Sequence, residues 1–424
     1  MGKEEVSMTL EPVALAGLVW VVPKRCNFCG LVYVLHLITS HSTLPAFQGD
    51  CLALAPGHTL DNTLDDRLTR KMHMKKSAQL FVGLAAGFLL VAAPVRSFAA
   101  EGPYRFLKEI VVGGDGGWDY LSVDETARRL YVSHGNKVVV IDLDKEAVCG
   151  EIADTPGVHG LAPAPDLQKG FSSNGGESKA GIINLKTLTT LSKVDTGQNP
   201  DGMLYEPGRQ EVYMFNARSQ SATVIDAKTG KVVVTIPLPG QPEFAAADPK
   251  AGRVYNNIED KSVVVAIDTS THQVVNTWPI APGEGASGMA IDVAHHRLFL
   301  GCGNRKMLMV DSANGKVVGE VPIGQGVDAN AFDPATQLAF ASCGDGTVTI
   351  AHEDNPSQLT VVQVLKTEPR ARTMTIDPKT HKIYLASAKF EAPAPTTGAE
   401  PGQRQRPRMV PGSFKVLVYG MDKS

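Results

Sequence analysis

Residues 211 to 240 read EVYMFNARSQSATVIDAKTGKVVVTIPLPG, and this stretch decides the fold. It holds an apolar run around Tyr213, a polar turn, a second run that ends in Ile225-Asp226, the turn KTGK at 228 to 231 and a third β-branched run. Short apolar runs between turn signals, without a helical period, are typical of strands. The stretch therefore predicts consecutive antiparallel strands joined by tight turns.

The same pattern recurs along the chain about every forty residues. One aromatic residue marks each unit: Tyr131, Phe171, Tyr213, Tyr255, Phe299, Phe340 and Tyr384. Four short strands in such a unit are the signature of a β-propeller blade. The seven units predict an all-β fold, a seven-bladed β-propeller with four-stranded antiparallel blades.

The two ends of the repeat region predict how the propeller closes. LKEIVVGG at 107 to 114 is an unpaired strand before the first unit, whereas the last unit stops after three strands with FKVLVYG at 414 to 420. Pairing the two would remove an exposed sheet edge. We therefore expect the N-terminal strand to close the last blade.

The sequence before the repeats indicates export. Residues 72 to 99 carry two lysines near their start and continue with an apolar run that is too short to span a bilayer. Small residues then precede a cleavage position after Ala99. Together these features are typical of a signal peptide. We interpret residues 1 to 71 as the product of an upstream start codon, outside the natural protein. The expected mature propeller, 100 to 424, is periplasmic or secreted, has no membrane span after cleavage, and carries a Pro-rich insertion at 392 to 412.

Composition excludes several classes of function. The chain has 41 Lys and Arg against 44 Asp and Glu, and only the local run Arg404, Arg406 and Arg408 resembles a basic patch, so we expect no nucleic-acid partner. No CxxCH, GxSxG, HExxH or P-loop motif is present. Of the six cysteines, three remain after the predicted cleavage, Cys149, Cys302 and Cys343, and this odd number argues against a disulfide framework. We expect a monomer without a cofactor.

The repeats resemble the YVTN-type repeats of YncE-like β-propeller proteins. The resemblance covers about residues 104 to 421 and lies in the turn TGKVV at 229 to 233, the closing PGSFKVLV at 411 to 418 and the second-strand segments YVSH (131 to 134), YMFN (213 to 216), YNNI (255 to 258) and YLAS (384 to 387). It implies the propeller fold but no particular function, because these motifs are turn and core residues.

Polar residues in the loops that enter the innermost strands are the candidate binding residues, since these loops share one face around the channel. They are Trp118, Asp119, His159, Asn199, Asp201, Glu243, Ser287, Asp328, Asn330, Arg370 and Arg372. Each has a structural alternative: the aspartates cap turns, Trp118 packs between blades, and His159 forms a structural hydrogen bond. His295-His296 is expected in a solvated turn on the opposite face, and no metal site is predicted.

Arg370 and Arg372 are the main candidates for binding an anion. They alternate in a strand-like stretch, so both side chains are expected to point the same way. Their partner is either an anionic ligand or an internal acid such as Glu243 or Asp328.

Three functions remain open. The first is a binding protein that recognises a small molecule, a polymer or a protein at the channel mouth. The second is a lactonase-like hydrolase, with Glu243 or Asp328 beside the two arginines, or with a divalent cation such as calcium on Asp201, Glu243 and Asn330. The third is a scaffold that uses the rim. The sequence does not decide whether the protein is an enzyme.

Overall fold

Seven four-stranded antiparallel sheets make up the described part of the chain. The computed structural model describes residues 102–391 and 407–421. The predicted upstream product, the predicted signal peptide and most of the predicted Pro-rich insertion lie outside the described residues. The predicted all-β seven-bladed propeller is confirmed.

The strands of the first four blades run from the innermost to the outermost in chain order. The first blade holds β2 (Leu121–Asp124), β3 (Arg129–His134), β4 (Lys137–Asp142) and β5 (Ala147–Ile152). The second holds β6 (Val158–Ala164), β7 (Lys169–Asn174), β8 (Lys179–Asn184) and β9 (Thr189–Asp195). The third holds β10 (Pro200–Glu206), β11 (Glu211–Asn216), β12 (Ser221–Asp226) and β13 (Val232–Pro237). The fourth holds β14 (Pro242–Asp248), β15 (Arg253–Ile258), β16 (Val263–Asp268) and β17 (Gln273–Pro279).

The last three blades complete the circle. The fifth holds β18 (Ala286–Asp292), β19 (Arg297–Cys302), β20 (Lys306–Asp311) and β21 (Val317–Pro322). The sixth holds β22 (Val327–Asp333), β23 (Leu338–Cys343), β24 (Thr347–Asn355) and β25 (Gln358–Lys366). The seventh holds β26 (Met374–Asp377), β27 (Lys382–Ser387), β28 (Lys415–Met421) and, outermost, β1 (Tyr104–Val111). Two 3-10 turns, Pro165–Leu167 and Glu259–Lys261, interrupt the second and fourth blades.

The N-terminal strand closes the seventh blade, as predicted. β1 pairs antiparallel with β28 from Tyr104, opposite Met421, onward. The buried Tyr104 hydroxyl donates a 2.7 Å hydrogen bond to the carbonyl of His381, and its ring meets Phe340 of the sixth blade edge-on at 5.2 Å. The strand therefore covers the edge of β28 and also ties the seventh blade to the sixth.

The seven aromatics that mark the repeats all lie on the second strand of their blades and are buried. Each ring fills the space between neighbouring blades. Tyr131, for example, packs with Leu161 and Ile183 of the second blade, and Phe171 packs with Val212 of the third. Burying a large apolar side chain stabilises a fold by about 1.5–3 kcal/mol, so one aromatic per unit is needed at this position.

The structure describes the three cysteines of the expected mature region. All three are free; Cys149 is exposed, and Cys302 and Cys343 are buried on equivalent strands. Burial raises the pKa of both buried thiols to about 12, so they are inert apolar side chains rather than nucleophiles. In the same described ranges, no helix has the length and apolar character needed to cross a membrane.

Candidate channel-mouth binding site

One residue from each blade, at the same position, surrounds the channel mouth. It lies five residues before the last residue of the innermost strand. We call this set the channel ring: Asp119, His159, Asp201, Glu243, Ser287, Asp328 and Arg372. The sequence nominated all seven among its candidates, but it did not show that they are equivalent. Counting back from the strand ends would have revealed the equivalence.

A break in strand register orients these side chains. In the second to sixth blades the pairing of the innermost strand shifts just after its first residue, for example between Pro200 and Met203 and between Pro242 and Ala245. A bulge leaves a residue out of the regular ladder and re-aims it. Asp201 and Glu243 lie at these irregularities.

Six residues of the channel ring, all except His159, enclose with three neighbours a cavity of 230 Å³, which we call the acidic cavity. Its walls are Asp119, Tyr120, Asp201, Glu243, Phe244, Glu259, Ser287, Asp328 and Arg372. The sequence missed Glu259, which a 3-10 turn after β15 brings to the channel, and also the two aromatics, Tyr120 and Phe244, which pack against each other at 4.4 Å. Five of the lining side chains are carboxylates.

His159 joins two of these carboxylates. Its Nδ1 lies 2.8 Å from an oxygen of Asp119 and 3.4 Å from an oxygen of Asp201. Burial opposes protonation, but the bond to Asp119, the charges of both acids and a hydrogen bond with Asn199 outweigh it and raise the pKa of His159 to about 9. The imidazole is therefore a cation at neutral pH. A metal ion on these three residues would have to displace its proton.

The remaining acids of the cavity hold their protons unusually tightly. Burial, together with nearby Asp201 and Glu259, raises the pKa of Glu243 to about 8. Burial also raises the pKa of Asp201 and of Asp328, although Arg372, whose Nε lies 3.4 Å from an Asp328 oxygen, acts in the opposite direction on Asp328. Negative charge in this cavity is thus not fully compensated by the protein.

A wider opening of 770 Å³ adjoins the acidic cavity, and we call it the outer cleft. It is lined by Gly116, Gly117, Trp118, Gly344, Arg370, Arg372, Thr373, Phe390, Pro407 and Met409. Trp118 packs against Phe414 at 5.0 Å between the first and seventh blades and also forms a wall of the cleft. The Arg370 guanidinium lies over the Phe390 ring at 4.5 Å.

The segment that carries the two arginines is a loop, so the prediction of a strand-like alternation was wrong. β26 begins only at Met374, and Arg370 has the left-handed φ of 71°. Pro369 has no amide hydrogen to donate, and the Ala371 amide donates back to the Glu368 carbonyl, which closes a turn. Both arginines nevertheless line the outer cleft.

Three nominated residues, His159, Asn199 and Asn330, are not among the lining residues of either cavity. Asn330 is buried, and its side-chain amide donates to the sulfur of Met307 in the fifth blade. Asn199 lies beside His159 and supports it instead of facing the cavity. The other nominated residues lie at the acidic cavity or the outer cleft.

Comparison with known proteins gives the family. Residues 179 to 391, from β8 to the end of the first described range, match the family model described as outer membrane protein assembly factor BamB. None of the curated proteins compared with the chain matches it. The finer resemblance to YVTN-type repeats stays a prediction. The matched range covers the repeats that build most of the propeller, and the chain belongs to the family described as outer membrane protein assembly factor BamB.

Proposed function

We propose that this propeller is a non-catalytic binding protein whose acidic cavity takes a basic group of a protein or peptide ligand. The observation that carries the proposal is the charge of the cavity. Five carboxylates face two cations, His159 and Arg372, so the set has a net charge of −3 when all its acids are ionised.

The raised pKa values in the cavity support a cationic ligand. An acid whose pKa is raised by buried neighbouring acids is stabilised in its ionised form by any cation that enters. Glu243, with its pKa of about 8, is the clearest example. Charge–charge attraction is also stronger in a cavity than in open water. An ammonium or guanidinium group therefore gains more in this cavity than at an exposed acidic surface.

The outer cleft suits the rest of such a ligand. Trp118 and Phe390 offer aromatic surface, and Arg370 offers a guanidinium for a ligand carboxylate or carbonyl. Aromatic residues and arginine are enriched where proteins bind one another. The family description names an assembly factor, and together with the predicted export this favours a protein ligand in the periplasm.

A basic peptide is expected to bind, and to bind more tightly as the pH rises. The probe is a trilysine peptide blocked at both ends, and the control is a blocked triglutamate. Between about pH 6 and pH 8 the raised-pKa acids lose their protons, whereas His159, with a pKa of about 9, keeps its charge. Affinity measured by calorimetry should rise about tenfold, equivalent to ~1.4 kcal/mol.

The variant E243Q should flatten this pH dependence, because one of the titrating acids is gone. Equal binding of the two peptides, or an affinity that falls as the pH rises, would contradict the proposal.

Substitution of Arg372 distinguishes a cationic ligand from the anionic ligand that the sequence suggested. Its side chain is 57% exposed, and exposed ion pairs are worth about 0–1 kcal/mol, so R372A should remain folded. Loss of the guanidinium leaves Asp328 uncompensated and should tighten trilysine binding about threefold to tenfold. R370A is the matched control, because it also removes an arginine of the outer cleft but not one that lines the acidic cavity, and it should not tighten trilysine binding. Weaker trilysine binding by R372A would favour the anionic ligand instead.

A lactonase-like hydrolase is the second candidate, because a protonated Glu243 beside ionised acids resembles the perturbed groups of active sites. It predicts release of acid from a sugar lactone at neutral pH, with or without Ca²⁺. E243Q would abolish that activity. The binding proposal predicts no turnover by the wild-type protein.

A further inference from the structure

The face opposite the channel mouth carries a series of contacts between neighbouring blades, which we call the lower rim. There the last residue of an innermost strand is usually an acid, and the residue just before the second strand of the next blade approaches it. Arg128 binds both oxygens of Asp377 at 2.8 and 2.7 Å, and His381 Nδ1 lies 2.7 Å from an oxygen of Asp333. At these junctions the lower rim pairs an acid with a base.

Three junctions lack this base: Gln168 takes its position after Asp124, Gly252 takes it after Glu206, and the third is the junction between the fifth and sixth blades. At this third junction the acid is Asp292, but the residue that precedes the second strand of the sixth blade is Gln337, a neutral side chain. The sixth blade adds a second carboxylate, Glu353. The Glu353 amide donates to the Gln337 carbonyl at 2.9 Å. The residues that make the same backbone contact in the first five blades are Leu143, Leu185, Ala227, Thr269 and Ser312.

Glu353 is a buried carboxylate that accepts no hydrogen bond from an N–H or hydroxyl group of the described residues; it can bond to Asp292 only when one of the two acids is protonated. The exposure of Glu353 is 1%. Asp292, 2% exposed, faces it. The nearby cation is Arg297, but its guanidinium donates to the carbonyls of Pro356 and His296. Two buried acids in contact are costly unless a cation or a shared proton lies between them.

His295 completes the cluster. Its Nδ1 lies 2.5 Å from an oxygen of Asp292, and its side chain is 43% exposed. Asp292, His295 and Glu353 each place one ligand atom so that all three lie within 4.8 Å of one another. In a tetrahedral zinc site two ligand atoms, each about 2.1 Å from the metal, lie ~3.4 Å apart. The ligand atoms therefore need to approach one another by no more than about 1.4 Å to share an ion.

We propose that Asp292, His295 and Glu353 bind a divalent transition-metal ion, Zn²⁺ in type, that joins the fifth and sixth blades. An imidazole with two carboxylates is a donor set for such an ion rather than for calcium, which takes oxygen ligands alone. The ion satisfies the oxygens of Glu353 and takes the place of the base that Gln337 lacks. The exposed side of His295 leaves a coordination position open to water.

The sequence pointed only to part of this site. His295 stood out as half of a histidine pair and was expected in a solvated turn, and the turn is indeed on the opposite face from the channel ring. Glu353 gave no signal, because it stands at a position where other blades bury an apolar or small residue. Only the packing of one blade on the next brings it to Asp292 and His295.

Zinc binding tests the proposal on the untagged protein. Zn²⁺ at about 100 times its dissociation constant should raise the melting temperature by about 5 °C, with one ion bound per chain in equilibrium dialysis. E353L, which installs the residue found in the first two blades, and H295A should both lose the rise. E353Q gives the same answer if E353L folds poorly.

Two matched controls locate the ion. H296A removes the neighbouring histidine, which lies 3.5 Å from Asp248 at another junction, and should keep the full zinc response. D201N alters the acidic cavity and should keep it too, so the result is independent of the proposed function. The proposal is overturned if the wild-type protein shows no zinc-dependent rise, as expected for a proton shared by the two acids. A rise that survives in E353L and H295A overturns it as well.

Discussion

Deletion of residues 104 to 111 should leave a protein that unfolds easily and aggregates. The deletion removes β1, uncovers the whole edge of β28 and exposes the core around the buried Tyr104 and Ile110. Burial of two such side chains contributes about 3–6 kcal/mol, which is comparable with the total stability of many domains. The free energy of unfolding in urea and the soluble fraction after expression measure the effect.

Y104F is the matched control for this deletion. It keeps the ring against Phe340 and removes only the hydroxyl that bonds the His381 carbonyl, so it should cost about 1 kcal/mol. A truncated protein as stable and soluble as Y104F would contradict closure of the seventh blade by the N-terminal strand.

Replacement of Arg128 by Met should cost about 3–5 kcal/mol, the cost of breaking a buried ion pair. Arg128 donates one hydrogen bond to each carboxylate oxygen of Asp377, and the Asp377 side chain is fully buried. Met keeps the apolar stem of the side chain and leaves the carboxylate without its cation. R209M is the control, because Arg209 is 45% exposed and lies 3.8 Å from Glu211. It should cost less than about 1 kcal/mol.

The pH dependence of R128M follows from the pKa of Asp377. Burial opposes ionisation, but hydrogen bonds from Arg128 and Thr380 outweigh it and lower the pKa of Asp377. In the wild-type protein this contribution to stability is present above the unfolded pKa of about 3.9 and is lost as the pH falls through the lowered folded value. In R128M the carboxylate is unpaired, so the deficit should be largest near neutral pH and shrink towards about pH 4.

A second substitution checks the cause. D377N in the R128M background removes the buried charge and should restore part of the lost stability at neutral pH. A deficit in R128M that is independent of pH, or that D377N does not reduce, would show that packing rather than charge explains the loss.

The blade count and the closure of the propeller were predictable because their signals are local. Each unit carries its own turns, β-branched runs and one buried aromatic, and the spacing between aromatics such as Tyr213 and Tyr255 repeats along the chain. The repeat region begins with an unpaired strand and ends with a blade that lacks one strand. Pairing the two removes an open sheet edge, which would otherwise favour aggregation. The same topology predicted which loops share the channel face.

The chemistry of the sites was decided by contacts between residues far apart in the sequence. His159 is forty residues from Asp119 and 42 from Asp201, yet one imidazole bridges both. The strand-like conformation expected around Arg370 was wrong, because Pro369 and a backbone turn replace the strand there, although both arginines still line the outer cleft.

Glu353 shows most clearly what could not be predicted from the sequence. The residues around Glu353 in the sequence do not indicate a contact with Asp292. Only the packing of the sixth blade on the fifth brings these two buried acids together. Repeats and turns thus determined the fold by themselves, since strand pairing follows from local backbone preferences and apolar burial. The tertiary structure alone decided which charges meet, because electrostatic energy depends on distance and burial, and neither can be read along a chain.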